Sequence, residues 1–316
     1  MVCGFGLCFS SWRPNMVPYM ADVKTQTRSN SMHCSRLESS RSFSAHENFI
    51  MTSSPAHLVL SAHGSPRSTW RDPLDGLQAA LDDDDTLTSR YPGGVQIAFL
   101  DHDQPLLVPL VRDAIANGFT VDVLPVFLSR GRHQEVDLPR LLGLTTSSGS
   151  DEDGLPPGEP VRLLPPIEWS AVLASSVVRR ARERIPAPGS ASALLVHYGS
   201  TLQPCPWSAL AARLGDALTA AGFAQTAHMG AGHHRPDPAT EIAAVVTSLL
   251  DESAFVVIVA LLLAKGSIQE EVIPQAIRKL DPALQERLGW IPDAVLPDVE
   301  VHAAIAAHAL KAASGA

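Results

Sequence analysis

The stretch VLPVFLSRGRHQEVDLP (123–139) returns as VIVALLLAKGSIQEEVIP (257–274), with Gly131 and Gly266 offset by 135 positions. HGS (63–65) recurs as YGS (198–200) at the same offset. Further on, LLPPIEWSAVLASSVVRRA (163–181) resembles VLPDVEVHAAIAAHALKAA (295–313), with Pro165 and Pro297 offset by 132. Two long, similar units in one order indicate a duplicated domain, because the period is too long for a solenoid. The small-residue stretch PAPGSAS (186–192) is the natural linker. One domain is therefore expected over 56–186 and a second over 191–316.

Within the first unit, short apolar runs rich in β-branched residues alternate with amphipathic patterns. Strands are expected at His57–Ala62, Val95–Leu100, Val121–Leu128 and Val161–Leu164. Helices are expected at Leu74–Leu81, Leu106–Asn117, Glu135–Leu142 and Ser170–Arg184. Apolar strands alternating with helices signal βαβ units and a parallel sheet. The fold class is thus α/β: two similar tandem domains with parallel sheets and a cleft between them. Gly118 in AIANGF reads as a helix stop. Thr145–Pro160 reads as a surface loop, and the run Asp82–Asp85 as a solvated loop.

Residues 1–55 are rich in Ser, Arg and Met without sustained periodicity. They are expected to be disordered, or to lie upstream of a natural start at Met51. The formal net charge of −9 argues against nucleic acid as the main partner, because phosphate binding needs clustered Lys and Arg. The longest apolar run, Ala254–Ala264, is 11 residues, short of the roughly 20 that span a bilayer. Three of the four cysteines lie in the first 34 residues. That leaves no disulfide framework in the body of the chain and makes the cytoplasm the expected location.

Chemistry is expected at strand ends, since ligands of open parallel sheets bind beyond the carboxyl ends of the strands. His63 follows one strand, His133 follows another, and Asp101 in AFLDHDQP ends a third. On pattern alone, a metal site, an acid–base site and ordinary hydrogen-bonded surface histidines all fit. In the second unit Tyr198 replaces His63 and Ile268 replaces His133, and an isoleucine neither binds metal nor moves a proton. The second unit therefore reads as a degenerate copy that packs and walls the cleft. His197 is shifted by one position and is expected to point to the other face. His233 and His234 read as a loop pair near the counterpart of Asp101.

The strand–HGS opening, the segment Phe99, Leu100, Asp101 to Pro105, and the PxFLSxGxHxxxDLP block (125–139) resemble the CbiX/SirB family of class II chelatases. The family usually has Glu at the position of Asp101, and often Arg directly after HGS where Pro66 precedes Arg67 here. The resemblance implies insertion of Fe2+ or Co2+ into sirohydrochlorin without ATP, in siroheme or cobalamin biosynthesis. It implies His63, His133 and Asp101 as metal-contacting and catalytic residues. Ni2+ suits the same donors. No permanently bound cofactor is expected, and no G-x-G-x-x-G or Walker sequence follows a strand. Ser65, Arg67, Arg130 and Arg132 flank the histidine motifs and are candidate contacts for the substrate's carboxylates. A monomer is expected because the domain is already duplicated. A metal or tetrapyrrole carrier using the same cleft is the alternative. A two-lobed periplasmic-type binding protein is disfavoured by the lack of an export signal, and an α/β hydrolase by the lack of G-x-S-x-G.

Overall fold

The structure is a computed structural model that describes residues 55–145, 153–185, 188–200, 205–232 and 234–314. The expectation for residues 1–54, the middle of the 145–160 loop and His233 lie outside the described residues. Residues Thr52–Ala316 form one compact unit.

The first half runs β1 (Ala56–Ala62), α1 (Ser68–Asp82), α2 (Asp85–Arg90), β2 (Val95–Phe99), α3 (Leu107–Ala116) and β3 (Thr120–Pro125). A π-helical turn (His133–Asp137), α4 (Leu138–Leu141), β4 (Val161–Leu163) and α5 (Trp169–Arg182) complete it. The second half runs β5 (Ala191–His197), α6 (Pro206–Ala220), β6 (Gln225–Gly230), α7 (Pro238–Glu252) and β7 (Phe255–Leu261). A second π turn (Ile268–Val272), α8 (Ile273–Lys279), α9 (Pro282–Gln285), β8 (Leu288–Ile291) and α10 (Val299–Ser314) follow. Each half forms a four-stranded parallel sheet, in the orders β2-β1-β3-β4 and β6-β5-β7-β8.

Alternation along the strands explains the layering. In β1, Leu58, Leu60 and Ala62 join an inner core, whereas Val59 joins an outer one with Val108, Val111 and Leu138. In β5, Ala193 and Leu195 face the inner core, and Leu194 and Val196 an outer one with Ile242, Val246 and Ile273. Residues of α1, α5, α6 and α10 fill the inner core between the sheets. The central strands β1, β3, β5 and β7 are buried on both faces, as parallel sheets require, and read as largely apolar runs, whereas β4 and β6 at sheet edges are partly exposed. Gly118 and Gly222 take positive φ (+86° and +99°) just past α3 and α6, where the chain leaves the helix through a left-handed residue.

Several details differ from the sequence reading. Val121–Leu128 is strand only as far as Pro125. The run Asp82–Asp85 is a helix junction: Asp82 ends α1, and Asp84 caps α2 by accepting from Thr86 N and Leu87 N, both at 2.9 Å. The helix expected from Glu135 opens as the π turn at His133, where Leu138 N donates to His133 O. Ile268 opens its counterpart identically, with Ile273 N on Ile268 O. His197, by contrast, points away from the Tyr198 face as its one-position shift implies: it lies on the inner-core side, 3% exposed, its ring stacked on Trp207 at 5.0 Å.

Ile268 is 4% exposed within the outer core of the second half. Ile268→Ala is expected to lower stability by about 2–5 kcal/mol, read as a shift in the urea midpoint. An unchanged midpoint would overturn the view of this residue as core. Burial, reinforced by the neighbouring His228, holds the His197 pKa down at about 3. The unfolded chain therefore binds the extra proton first, and this contribution to stability is lost as pH falls below about 6.5. His197→Phe, which keeps the stack on Trp207, should narrow the gap in melting temperature between about pH 7.5 and about pH 5. An unaltered gap would count against His197 as its source.

Candidate functional site

His63 directly follows β1, and a close backbone approach holds its position. A side chain at Gly64 would put its Cβ 1.6 Å from the carbonyl oxygen of Asp101, so only glycine fits there. This approach seats the turn after β2 against the end of β1, where Leu100 N donates to Ala62 O at 3.1 Å. Asp101 then reaches back. Its Oδ1 accepts from Gly64 N at 3.2 Å and pairs with His63 Nδ1 at 2.9 Å.

His133 sits at the first residue of the π turn beyond β3. Asp137 lies four positions later on the same turn, and its Oδ2 pairs with His133 Nδ1 at 2.9 Å. The His133 ring lies near that of Phe127, centroids 6.3 Å apart. Two indoles hold the backbone at these strand ends from the inner helices. Trp70 Nε1 donates to His63 O at 2.9 Å, and Trp169 Nε1 to Phe127 O at 2.6 Å.

The two imidazoles meet, with ring centroids 4.9 Å apart and planes inclined by 46°. Both are about half exposed, at 44% and 47% of the side chain. An ionised carboxylate only accepts hydrogen bonds, so each Nδ1 carries the proton. A neutral ring in that tautomer has its Nε2 lone pair available to a metal ion or a proton. The structure thus brings His63, His133 and Asp101 together, with Asp101 behind His63. Among the described residues, no group of three or more His, Cys, Asp or Glu is arranged to hold a metal ion. Asp101 in this structure is the orienting partner of His63.

The candidate carboxylate contacts fare differently. Arg67 crosses to the second half and pairs with Glu270 at 3.2 Å and Glu271 at 2.7 Å, joining the His63 loop to the second π turn. Arg132 lies 3.4 Å from Asp137, and Arg130 lies 3.3 Å from Glu168. Both pairs are exposed and so contribute little to stability. Ser65 Oγ accepts from Arg67 N at 3.3 Å. A cavity of about 680 Å³ adjoins the His133 turn, walled by Phe127, Arg130 and Trp169 from the first half and by Ala209, Leu210 and Arg213 from the second. At the counterpart site, Tyr198 lies 6.2 Å from His234, ring to ring.

Sequence reasoning missed Asp137, Trp70 and Trp169. The His-x-x-x-Asp spacing was the available signal for Asp137, since i and i+4 share one face of a helical turn. The tryptophans act through the backbone of residues distant in sequence and leave no local pattern.

Comparison with known proteins gives a consistent result. Residues 57–184 match the CbiX family model. A sirohydrochlorin cobaltochelatase of Saccharolobus islandicus (strain L.S.2.15 / Lassen #1) is 32% identical over 88 residues, covering 28% of this chain and 63% of that relative. The chain thus spans under two thirds of the relative's length. In fold, the chain is similar to Bacillus subtilis SirB, solved with Fe3+ (TM-score 0.59, 18% identity, 82% of this chain and 96% of that one). It is also similar to a multi-domain Deinococcus radiodurans protein described as structurally similar to chelatases (TM-score 0.56, 23% identity, 83% and 55%). The parallel sheet, the two convergent histidines and the family match agree: over residues 57–184 the chain is similar to the CbiX family.

Proposed function

We propose that this protein is a chelatase that inserts a divalent metal ion, Fe2+, Co2+ or Ni2+, into a sirohydrochlorin-type tetrapyrrole without ATP. The observation that carries the reading is the pair of half-exposed imidazoles 4.9 Å apart, each backed by a carboxylate on Nδ1 at 2.9 Å. Insertion requires groups that hold the incoming ion loosely and accept the two pyrrole N–H protons. Two imidazole nitrogens, short of a full coordination cage, bind an ion weakly enough to release it. The same nitrogens are proton acceptors in a neutral imidazole. Asp101 and Asp137 fix the tautomer and stabilise the imidazolium that forms. A monomer suffices in this scheme, because one chain supplies both halves.

The test is metal insertion into sirohydrochlorin by the purified chain, run separately with Fe2+, Co2+ and Ni2+. His63→Ala and His133→Ala should each reduce the rate at least about 100-fold and leave the fold intact, since both side chains are solvent-accessible. The double variant should be little worse than either single one. Asp137→Asn leaves the imidazole in place but weakens its orientation, and should cost about 10–100-fold. Near-normal turnover by folded His133→Ala would overturn the mechanism. Tight tetrapyrrole or metal binding by the native chain without insertion would mark it as a carrier.

A further inference from the structure

The cavity beside the His133 turn is built by both halves, and its lining carries two arginines and two glutamates, of which one pair is joined. Arg130 and Glu168 line it and pair with each other at 3.3 Å. Glu135 lies on the π turn, on the side of His133. Arg213, in the second turn of α6, lines the opposite wall. Its Nη1 donates to Ser170 Oγ at 3.1 Å, and it forms no salt bridge with a described residue. Phe127, Ile167, Trp169 and Leu210 provide apolar wall between these charges.

The surroundings of Arg213 suit an anion. Ser170 and Trp169 belong to the first turn of α5, and Pro206 to the first turn of α6. Neither helix has a side-chain cap, so the positive ends of two long helices open on this wall together with an uncompensated guanidinium. A guanidinium presents paired N–H donors in the geometry a carboxylate accepts. The volume, about 680 Å³, falls in the range of pockets that enclose small organic ligands.

We infer that Arg213, supplied by the second half, is a substrate-binding residue that takes a peripheral carboxylate of the tetrapyrrole in the cavity beside His133. The inference rests on the chelatase reading and gives the second half a role in recognition that its lost histidines do not suggest. Arg67, engaged by Glu270 and Glu271, is committed to joining the halves, whereas Arg213 keeps its charge for a ligand.

The experiment measures KM and kcat for sirohydrochlorin, and direct binding by equilibrium dialysis, in the full chain and in Arg213→Ala, Arg213→Glu and Arg213→Lys. Loss of a charge-assisted contact should raise KM and Kd about 10-fold for Arg213→Ala. Arg213→Glu should raise them further, and Arg213→Lys should recover part of the loss. kcat and the KM for metal should stay within about twofold. Glu135→Gln, which removes a negative charge from the same lining, should not weaken binding. Where the fully methyl-esterified tetrapyrrole binds, the native and Arg213→Ala chains should bind it equally, since no carboxylate remains to be read. Unchanged KM and Kd in folded Arg213→Glu would overturn this inference and leave the chelatase reading standing. Native chain that neither binds nor metallates sirohydrochlorin would overturn both. Arg213 is exposed, so the variants should fold, which their melting temperatures check.

Discussion

The contact between Gly64 and the backbone of Asp101 is the constraint on which the site depends. Parallel strands bring their carboxyl ends to one edge but do not by themselves bring the following turns into contact. The missing Cβ at residue 64 lets the turn after β2 lie against the turn after β1. The Asp101 carboxylate then meets both the Gly64 amide and the His63 ring. A methyl group there would displace the carboxylate's backbone, and with it the orientation of His63.

The second element is the π turn. A turn with an i to i+5 hydrogen bond is uncommon, and such turns gather at functional positions. Here it places His133 at its start and Asp137 at its end, close enough to pair. The histidines thus reach the same state by different means. His63 is oriented by a carboxylate from a neighbouring strand end, and His133 by one from its own turn. Each ring is held at Nδ1 and remains about half exposed. On the proposed reading, this suits an ion that must be received and then given up.

Much of this was legible in the sequence because it rests on local pattern. The central strands are apolar on both faces, so their runs stand out against the amphipathic helices. The duplication is legible because Gly131 and Gly266 keep their spacing from Gly64 and Gly199. The π turn was not legible, since HQEVDLP satisfies an ordinary helical pattern equally well and the extra residue per turn shows only in the hydrogen bonds. The junction at Asp82–Asp85 was hidden because aspartates cap helices as readily as they populate loops. The partners of Arg67 were out of reach, since Glu270 and Glu271 stand about two hundred residues away in the other half.

The same π turn occurs in both halves, with His133 and Asp137 in one and Ile268 and Val272 in the other. Two identical domains related by a twofold axis must present the same residues on both faces. Within a single chain that symmetry is no longer enforced, and the two copies can diverge while their backbones stay alike. On the proposed reading, a metal ion meets the imidazole pair of the first half, while the second π turn offers Ile268 and Val272 at the matching positions. On that reading the second turn supplies shape without ligands, and the asymmetry of the chain leaves the metal chemistry to one half.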